Sequence, residues 1–355
     1  MRALAGFALV MAIASTSAQA IEPLTAAQRE VVVNALMSRY AGAAPGASLL
    51  VIKDGNAVIR RGYGYANLEK HRKTTAATNY RLASVTKQFT AASILLLNQD
   101  GKLQLTDPVR KWLPELPASD AAITIENLLD HSSGLLDYEN LIPADTKGQI
   151  DDADVLRMIA SQHRLYFTPG SAHRYNNGGY VLLGLIVERA SGMDLAAFMQ
   201  TRIFKPLGMD HTLMYEHQRG PQVTHRAYGY SHIAGTWKLT DQDTTSATRG
   251  DGGVYTSIDD MAKWDAALYD HRLLSDASRQ LAFTAHEPTD DPDFSYGFGW
   301  RIGGDSLWHS GESMGFRNVI VRWPGQHVTV VILSNRNHGR PYPLAVTIGH
   351  LYLSP

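Results

Sequence analysis

The chain has no cysteine among its 355 residues. That excludes disulfides, thiolate metal sites, a catalytic thiol and a lipid-modified cysteine together. Charge is also scarce, at 19% of residues, where soluble domains commonly carry roughly 25%. The 33 basic side chains nearly balance the 34 acidic ones, for a formal net charge of −1. Nothing in that balance marks a nucleic acid or an anionic membrane as a partner. Despite 14 histidines there is no H-E-x-x-H or comparable ligand-spaced cluster, so no metal and no other cofactor is expected. Asp151-Asp152, Asp290-Asp291 and the tripeptide Arg249-Gly250-Asp251 read as loop structure. Hydrophobic residues nonetheless make up 44%, which is a globular and not a disordered composition.

Long apolar runs are missing beyond the N-terminus. Met1–Ala20 opens with Arg2, runs through an apolar stretch from Ala3 to Ala14, and ends in small residues with Ala18 and Ala20 as an A-x-A site. This pattern predicts a secretory leader cleaved after Ala20. A membrane anchor would need about 20 apolar residues, and this run is shorter. Val181–Val187 and Val328–Leu333 read as buried core. The expectation is an exported protein, periplasmic or secreted, with no integral membrane segment after cleavage.

Along residues 21–355 the periodicity changes twice. Thr25–Tyr40 places Val33, Leu36, Met37 and Tyr40 at helical spacing. Ala47–Lys53 and Ala57–Tyr65 read as a hairpin around Asp54-Gly55. From Ser84 the pattern is helical: Ser84–Asp100, Tyr180–Ala190 and Asp194–Phe204. After about Gly250 come a helix at Ser257–Leu268, strand-like runs at Tyr296–Ile302, Phe316–Trp323 and His327–Leu333, and a closing helix at Leu344–Leu353. The simplest arrangement is one discontinuous domain of the α/β (α+β) class. Residues 21–80 and 250–355 would form the sheet part, and 81–249 an inserted helical part.

Three short motifs carry chemistry. Ser84-Val85-Thr86-Lys87 is an S-x-x-K at a helix start, where the amine can reach the hydroxyl and free N–H groups can stabilise an oxyanion. Tyr175-Asn176-Asn177 is a Y-x-N; a phenol beside an ammonium can relay protons, and the amide offers both a donor and an acceptor. Tyr65-Ala66-Asn67 and Tyr138-Glu139-Asn140 share the pattern, but only Tyr175 lies between a Pro-Gly turn and a strongly apolar helix. His309-Ser310-Gly311 precedes a strand and is the chain's H-x-G; its glycine can permit a close backbone approach by a ligand. Gly311–Gly315 also fits G-x-S-x-G, the nucleophile elbow. That fold needs an acid after the serine, and no Asp or Glu follows Glu312.

Taken together these segments resemble the serine β-lactamase/penicillin-binding-protein-like hydrolases. The likeness is nearest to the class C-like branch, with its esterases, D-aminopeptidases and D,D-peptidases. It runs through Tyr80–Leu97, Leu128–Leu135, Phe167–Glu188, Gly250–Trp264, Tyr296–Trp300 and His309–Phe316. The resemblance implies an antiparallel sheet flanked by N- and C-terminal helices, with an inserted, mainly helical region. It implies Ser84 as the acylated nucleophile and Lys87 as its activating amine. Tyr175 would shuttle protons; Asn177, His309, Ser310 and Gly311 would hold substrate; and the N–H groups of Ser84 and Glu312 would form the oxyanion hole. The substrate would be a small ester or amide, or a peptide with a D-residue. One departure counts: β-lactamases carry K-T-G or K-S-G where this chain has His309-Ser310-Gly311. A histidine attracts a carboxylate more weakly and in a pH-dependent way. The D,D-carboxypeptidase and β-lactamase readings, and a non-catalytic binding protein on the same fold, remain the alternatives.

Overall fold

In the computed structural model residues 24–216 and 220–354 are described, and the expected leader, residues 1–20, lies outside them. Among the described residues no helix is long and apolar enough to cross a membrane.

The main sheet grows from the apolar runs. Ala47–Lys53 (β1) and Asn56–Tyr63 (β2) pair through Asp54-Gly55, whose φ values of 51° and 76° give the primed hairpin turn. Later in the chain come Glu287–Pro288 (β3), Ser295–Tyr296 (β4), Arg301–Gly303 (β5), Ser306–Ser313 (β6), Phe316–Trp323 (β7) and Val328–Ser334 (β8). They form one 8-stranded antiparallel sheet, β3-β4-β5-β6-β7-β8-β1-β2. The two ends of the chain meet where β1 pairs with β8, Ala47 opposite Ser334.

Both faces of this sheet are covered. Leu49, Val51, Val330 and Ile332 pack with Val33 and Met37 of the N-terminal helix Ala26–Met37, and with Leu344 and Ile348 of the C-terminal helix Pro341–His350. Leu50, Ile52, Val331 and Leu333 point the other way, into the core shared with the helical region. Two-sided burial explains why these strands read as continuous apolar runs. Each such side chain contributes about 1.5–3 kcal/mol. The central helix, Lys87–Gln99, is buried on every side from Lys87 to Leu97. Tyr80–Arg81 pairs with Val254–Thr256, so the chain enters and leaves the helical region at neighbouring points.

Several elements differ from their sequence reading. The helix expected from Ser84 begins as a 3-10 turn, Ala83–Thr86, and becomes α-helical at Lys87. The run Tyr296–Ile302 is two short strands, β4 and β5, because the chain reverses at Gly299, which has φ 79°. Asp194 caps a short helix, Leu195–Met199, that passes into a π-turn, Gln200–Phe204. Helices at Asp152–Ala160 and Asp276–Phe283 have no counterpart in the sequence reading.

One buried ion pair ties helix Ile258–Ala267 to the sheet. Asp265 Oδ1 accepts from Arg322 Nε of β7 at 2.6 Å and from Thr329 Oγ1 of β8 at 2.8 Å. Asp265→Ala would leave the Arg322 charge buried without its partner. A loss of about 3–5 kcal/mol is expected in urea unfolding; an unchanged midpoint would refute this account of the pair.

Candidate active site

The turn Ala83–Thr86 presents Ser84, and Lys87 follows as the first residue of the central helix. In a 3-10 turn residues i and i+3 eclipse, which sets the Lys87 amine over the Ser84 hydroxyl. Nζ donates to Ser84 Oγ at 3.2 Å, Asn177 Oδ1 at 2.7 Å and the Asp251 carbonyl at 3.0 Å. Three hydrogen bonds are all that an ammonium can donate. The rings of Tyr175 and Tyr180 lie 5.0 and 5.4 Å from the same nitrogen. Lys87 is wholly buried, and these five partners offset the desolvation of its charge.

The segment from His131 to Glu139 holds Tyr175 and Asn177 in place. The His131 carbonyl accepts from the Arg174 N–H, and His131 Nδ1 accepts from the Asn176 N–H. The Leu135 carbonyl accepts from Asn176 Nδ2. Asp137 takes the Asn177 N–H, and Glu139 takes Asn177 Nδ2 at 2.9 Å. Asn176 in turn caps helix Asn177–Ser191 through Gly179 N–H. Of the three Y-x-N candidates, therefore, the structure brings Tyr175 and Asn177 to Lys87. Tyr138 is buried against Asp251, and Tyr65–Asn67 forms a separate small strand.

Strand β6 lies against the nucleophile turn. A Cβ on Gly311 would overlap the Leu82 carbonyl oxygen and crowd the Val85 nitrogen. The close approach that needs this glycine is thus by the chain's own backbone, not by a ligand. Ser84 and Glu312 line one opening of about 50 Å³, together with Asn177, Glu139 and Asp251. Ser310 is half-buried on β6 opposite Val319. The G-x-S-x-G stretch is the tight β6–β7 hairpin, with Ser313 opposite Phe316, and not a strand-to-helix elbow.

His309 needs a correction. Its Nε2 meets the Tyr296 hydroxyl at 2.9 Å and its Nδ1 the Ser310 carbonyl at 2.6 Å, and the ring is buried. Burial, followed by repulsion from Arg301 and Lys87, lowers its pKa to about 3. It is therefore a neutral ring with both nitrogens engaged, and a pH-dependent attraction for a substrate carboxylate is not available to it. A second cation near Tyr175, besides Lys87, comes from the neighbouring strand: Arg301 of β5 lies 5.8 Å from the Tyr175 ring. Tyr175 and Arg301 line a second cavity of about 660 Å³ with Tyr166, Phe167 and His173. His173 is also kept neutral, with its pKa down to about 4 through burial and Arg301.

The opposite flank is acidic. Burial raises the carboxyls of Asp137 and Glu139 above their usual range, and the Asp251 charge raises both further. None of Asp137, Glu139, Asp251 or Arg301 emerged from the motifs. Glu139 stood inside a competing Y-x-N and Asp251 inside a tripeptide read as loop structure, while Asp137 and Arg301 are single residues brought in by distant segments.

Residues 19–350 match the protein family described as Beta-lactamase. The chain belongs to that family. Like its relatives it is a serine hydrolase of the β-lactamase-related type, and its sheet-and-helix fold is the one this family uses. It is 33% identical over 317 residues to Penicillin-binding protein 4* of Bacillus subtilis (strain 168), covering 84% of this chain and 70% of the relative. It is 30% identical over 316 residues to a D-aminopeptidase of Gluconobacter oxydans (strain 621H), covering 87% of this chain but 59% of that protein. Among solved structures, an octameric penicillin-binding protein homologue from Pyrococcus abyssi superposes with a TM-score of 0.79 at 26% identity, over 91% of this chain and 76% of the other. A D-amino acid amidase from Ochrobactrum anthropi SV3, complexed with L-phenylalanine amide, superposes with a TM-score of 0.75 at 26% identity, over 86% and 91%.

Two outcomes are expected from this geometry. Gly311→Ala pushes β6 off the nucleophile turn, so labelling of the enzyme by a fluorophosphonate should slow by about 100-fold; labelling at the original rate would contradict the contact with Leu82. His309 affects stability against pH. An unfolded histidine titrates near 6.5, whereas this one stays neutral to about 3. Between those values the unfolded chain takes up a proton that the folded chain refuses, so stability falls as pH falls, by up to ~1.4 kcal/mol per unit. His309→Gln should flatten that part of the decline in urea midpoints measured from pH 7 to 5. Parallel curves for the two proteins would disprove it.

Proposed function

We propose that this chain is an exported hydrolase that forms an acyl-enzyme at Ser84, and that its preferred substrate is an amide or short peptide whose acyl residue carries a free ammonium. Residues 21–355 act as one catalytic domain. Ser84 Oγ attacks the carbonyl, and its proton passes to the Lys87–Tyr175 pair, which enters the step one proton short of ammonium plus phenol, and on to the departing nitrogen as the C–N bond breaks. The N–H groups of Ser84 and Glu312 hold the oxyanion. Water then attacks the ester, with the same pair taking and returning the proton.

One observation carries the substrate class: the Glu139 carboxylate is hydrogen-bonded to Asn177 beside the nucleophile, at 2.9 Å. Asp137 and Asp251 add to it, so three carboxylates outnumber the two cations on this flank, Lys87 and Arg81. An ammonium entering there is attracted, and it relieves the repulsion that raises these carboxyls. An anionic β-lactam meets the same charges as repulsion. The likeness to a D-aminopeptidase and a D-amino acid amidase supports an acyl residue of D configuration. Arg301 beside Tyr175 favours, as a second reading, peptides whose leaving residue ends in a carboxylate, as in a D,D-carboxypeptidase.

A turnover panel tests this. D-Alanine p-nitroanilide should exceed its N-acetyl form by about 100-fold in kcat/KM, and should also exceed p-nitrophenyl acetate, a D-Ala-D-Ala peptide and nitrocefin. Glu139→Gln should lower kcat/KM for the free amine at least about tenfold while sparing p-nitrophenyl acetate. A preference for the N-acetyl substrate, or fastest turnover of nitrocefin, would overturn the substrate class. Fluorophosphonate labelling of wild type but not of Ser84→Ala is the separate test of the nucleophile. N-terminal sequencing of the secreted protein should begin at Ile21.

A further inference from the structure

The tripeptide Arg249-Gly250-Asp251, set aside above as loop structure, links two openings: Arg249 lines a cavity of about 690 Å³, and Asp251 lines the opening at Ser84. Its arginine is bound on every side. Nε donates to Asp152 at 2.7 Å, Nη1 to Asp194 at 2.8 Å and Nη2 to Glu188 at 2.9 Å. Its backbone N–H donates to the other Asp152 oxygen at 2.9 Å. The three carboxylates come from three elements: Asp152 opens helix Asp152–Ala160, Glu188 sits in helix Asn177–Ser191, and Asp194 caps Leu195–Met199. One guanidinium thus joins three helices and pins the start of the loop that follows it.

That loop runs directly to the amine. The Gly250 carbonyl accepts from Thr90 Oγ1 of the central helix at 2.6 Å, and the Asp251 carbonyl accepts from Lys87 Nζ at 3.0 Å. The Arg249 carbonyl takes the N–H groups of Gly252 and Gly253, at 3.2 and 2.8 Å. Gly250 has no room for a side chain, because a Cβ would overlap the Tyr180 carbonyl. The loop therefore has little freedom once Arg249 is tied down, and its middle residue supplies one of the three acceptors that aim Nζ.

We infer that Arg249 is a positioning residue: by fixing the 249–253 loop to three helices it sets the Asp251 carbonyl against Lys87, and so directs the amine at Ser84. The inference rests on the reading of Ser84 and Lys87 as the reacting pair. Lys87 keeps two other partners without it, so with an uncharged substrate the effect falls on the alignment of the amine and not on binding. A lysine at 249 keeps the charge but lacks the fork that engages three carboxylates and cannot reproduce the geometry.

The test compares wild type, Arg249→Ala and Arg249→Lys in three measurements: steady-state kinetics on p-nitrophenyl acetate, the rate of fluorophosphonate labelling, and circular dichroism to establish folding. Folded variants should lose about 10- to 100-fold in kcat and in labelling rate while KM changes less than about threefold. Free guanidinium at millimolar concentration, entering the vacated cavity, should restore part of the labelling rate in Arg249→Ala and none in Lys87→Ala. If Arg249→Ala does not fold, Arg249→Lys takes its place in the kinetic comparison. A folded Arg249→Lys or Arg249→Ala with the wild-type kcat overturns the inference, as does a loss confined to KM. Labelling of Ser84→Ala at the wild-type rate would instead remove the nucleophile reading beneath it, so the two failures are distinguishable.

Discussion

The buried ammonium of Lys87 is the constraint around which this site is built. A wholly buried cation is tolerable only if its donors are matched. The three acceptors come from the adjoining turn, from the start of a helix 90 residues along, and from a loop 164 residues along. No local stretch of chain could supply them together. The packing of the central helix against helix Asn177–Ser191, the cradle from His131 to Glu139, and the loop after Arg249 all converge on that one nitrogen.

Charge around the nitrogen is divided between the two flanks. Asp137, Glu139 and Asp251 gather on the side of Ser84 and Asn177, while Arg301 stands beside Tyr175. The imidazoles of His131, His173 and His309 lie close by, but burial keeps all three neutral. The chain as a whole is nearly uncharged, at −1. Selectivity for a charged substrate is therefore a matter of a few groups at short range, where low dielectric strengthens each interaction.

Much of the architecture was legible because it depends on residues near one another in the chain. The β1–β2 hairpin follows from Asp54-Gly55 between apolar runs, and β7 and β8 from runs long enough to be strands and apolar enough to be buried on both faces. The helix ends at Gly192 and at the Asp194 cap were visible for the same reason. What was not visible were features decided by contact. The stretch Tyr296–Ile302 divides because Gly299 turns the chain back beside the Lys87 carbonyl. Helix Asp152–Ala160 has a clear cap in Asp151 but few residues over which a period could show.

The site divides along the same line. Ser84 with Lys87, and Tyr175 with Asn177, are spaced three and two apart, and such spacings are dictated by backbone geometry that the sequence alone determines. So too was the family likeness, because several ordered motifs each constrain a short stretch. Tertiary structure alone decided the rest: that His309 is a buried neutral ring, that Gly311 yields space to Leu82 rather than to a ligand, that Arg301 joins Lys87 beside Tyr175, and that Arg249 binds three helices. The physical reason is that burial and hydrogen-bond partnership are properties of neighbours in space. Those neighbours were drawn from segments as far apart in the chain as Leu82 and Gly311, over which sequence spacing carries no geometric information.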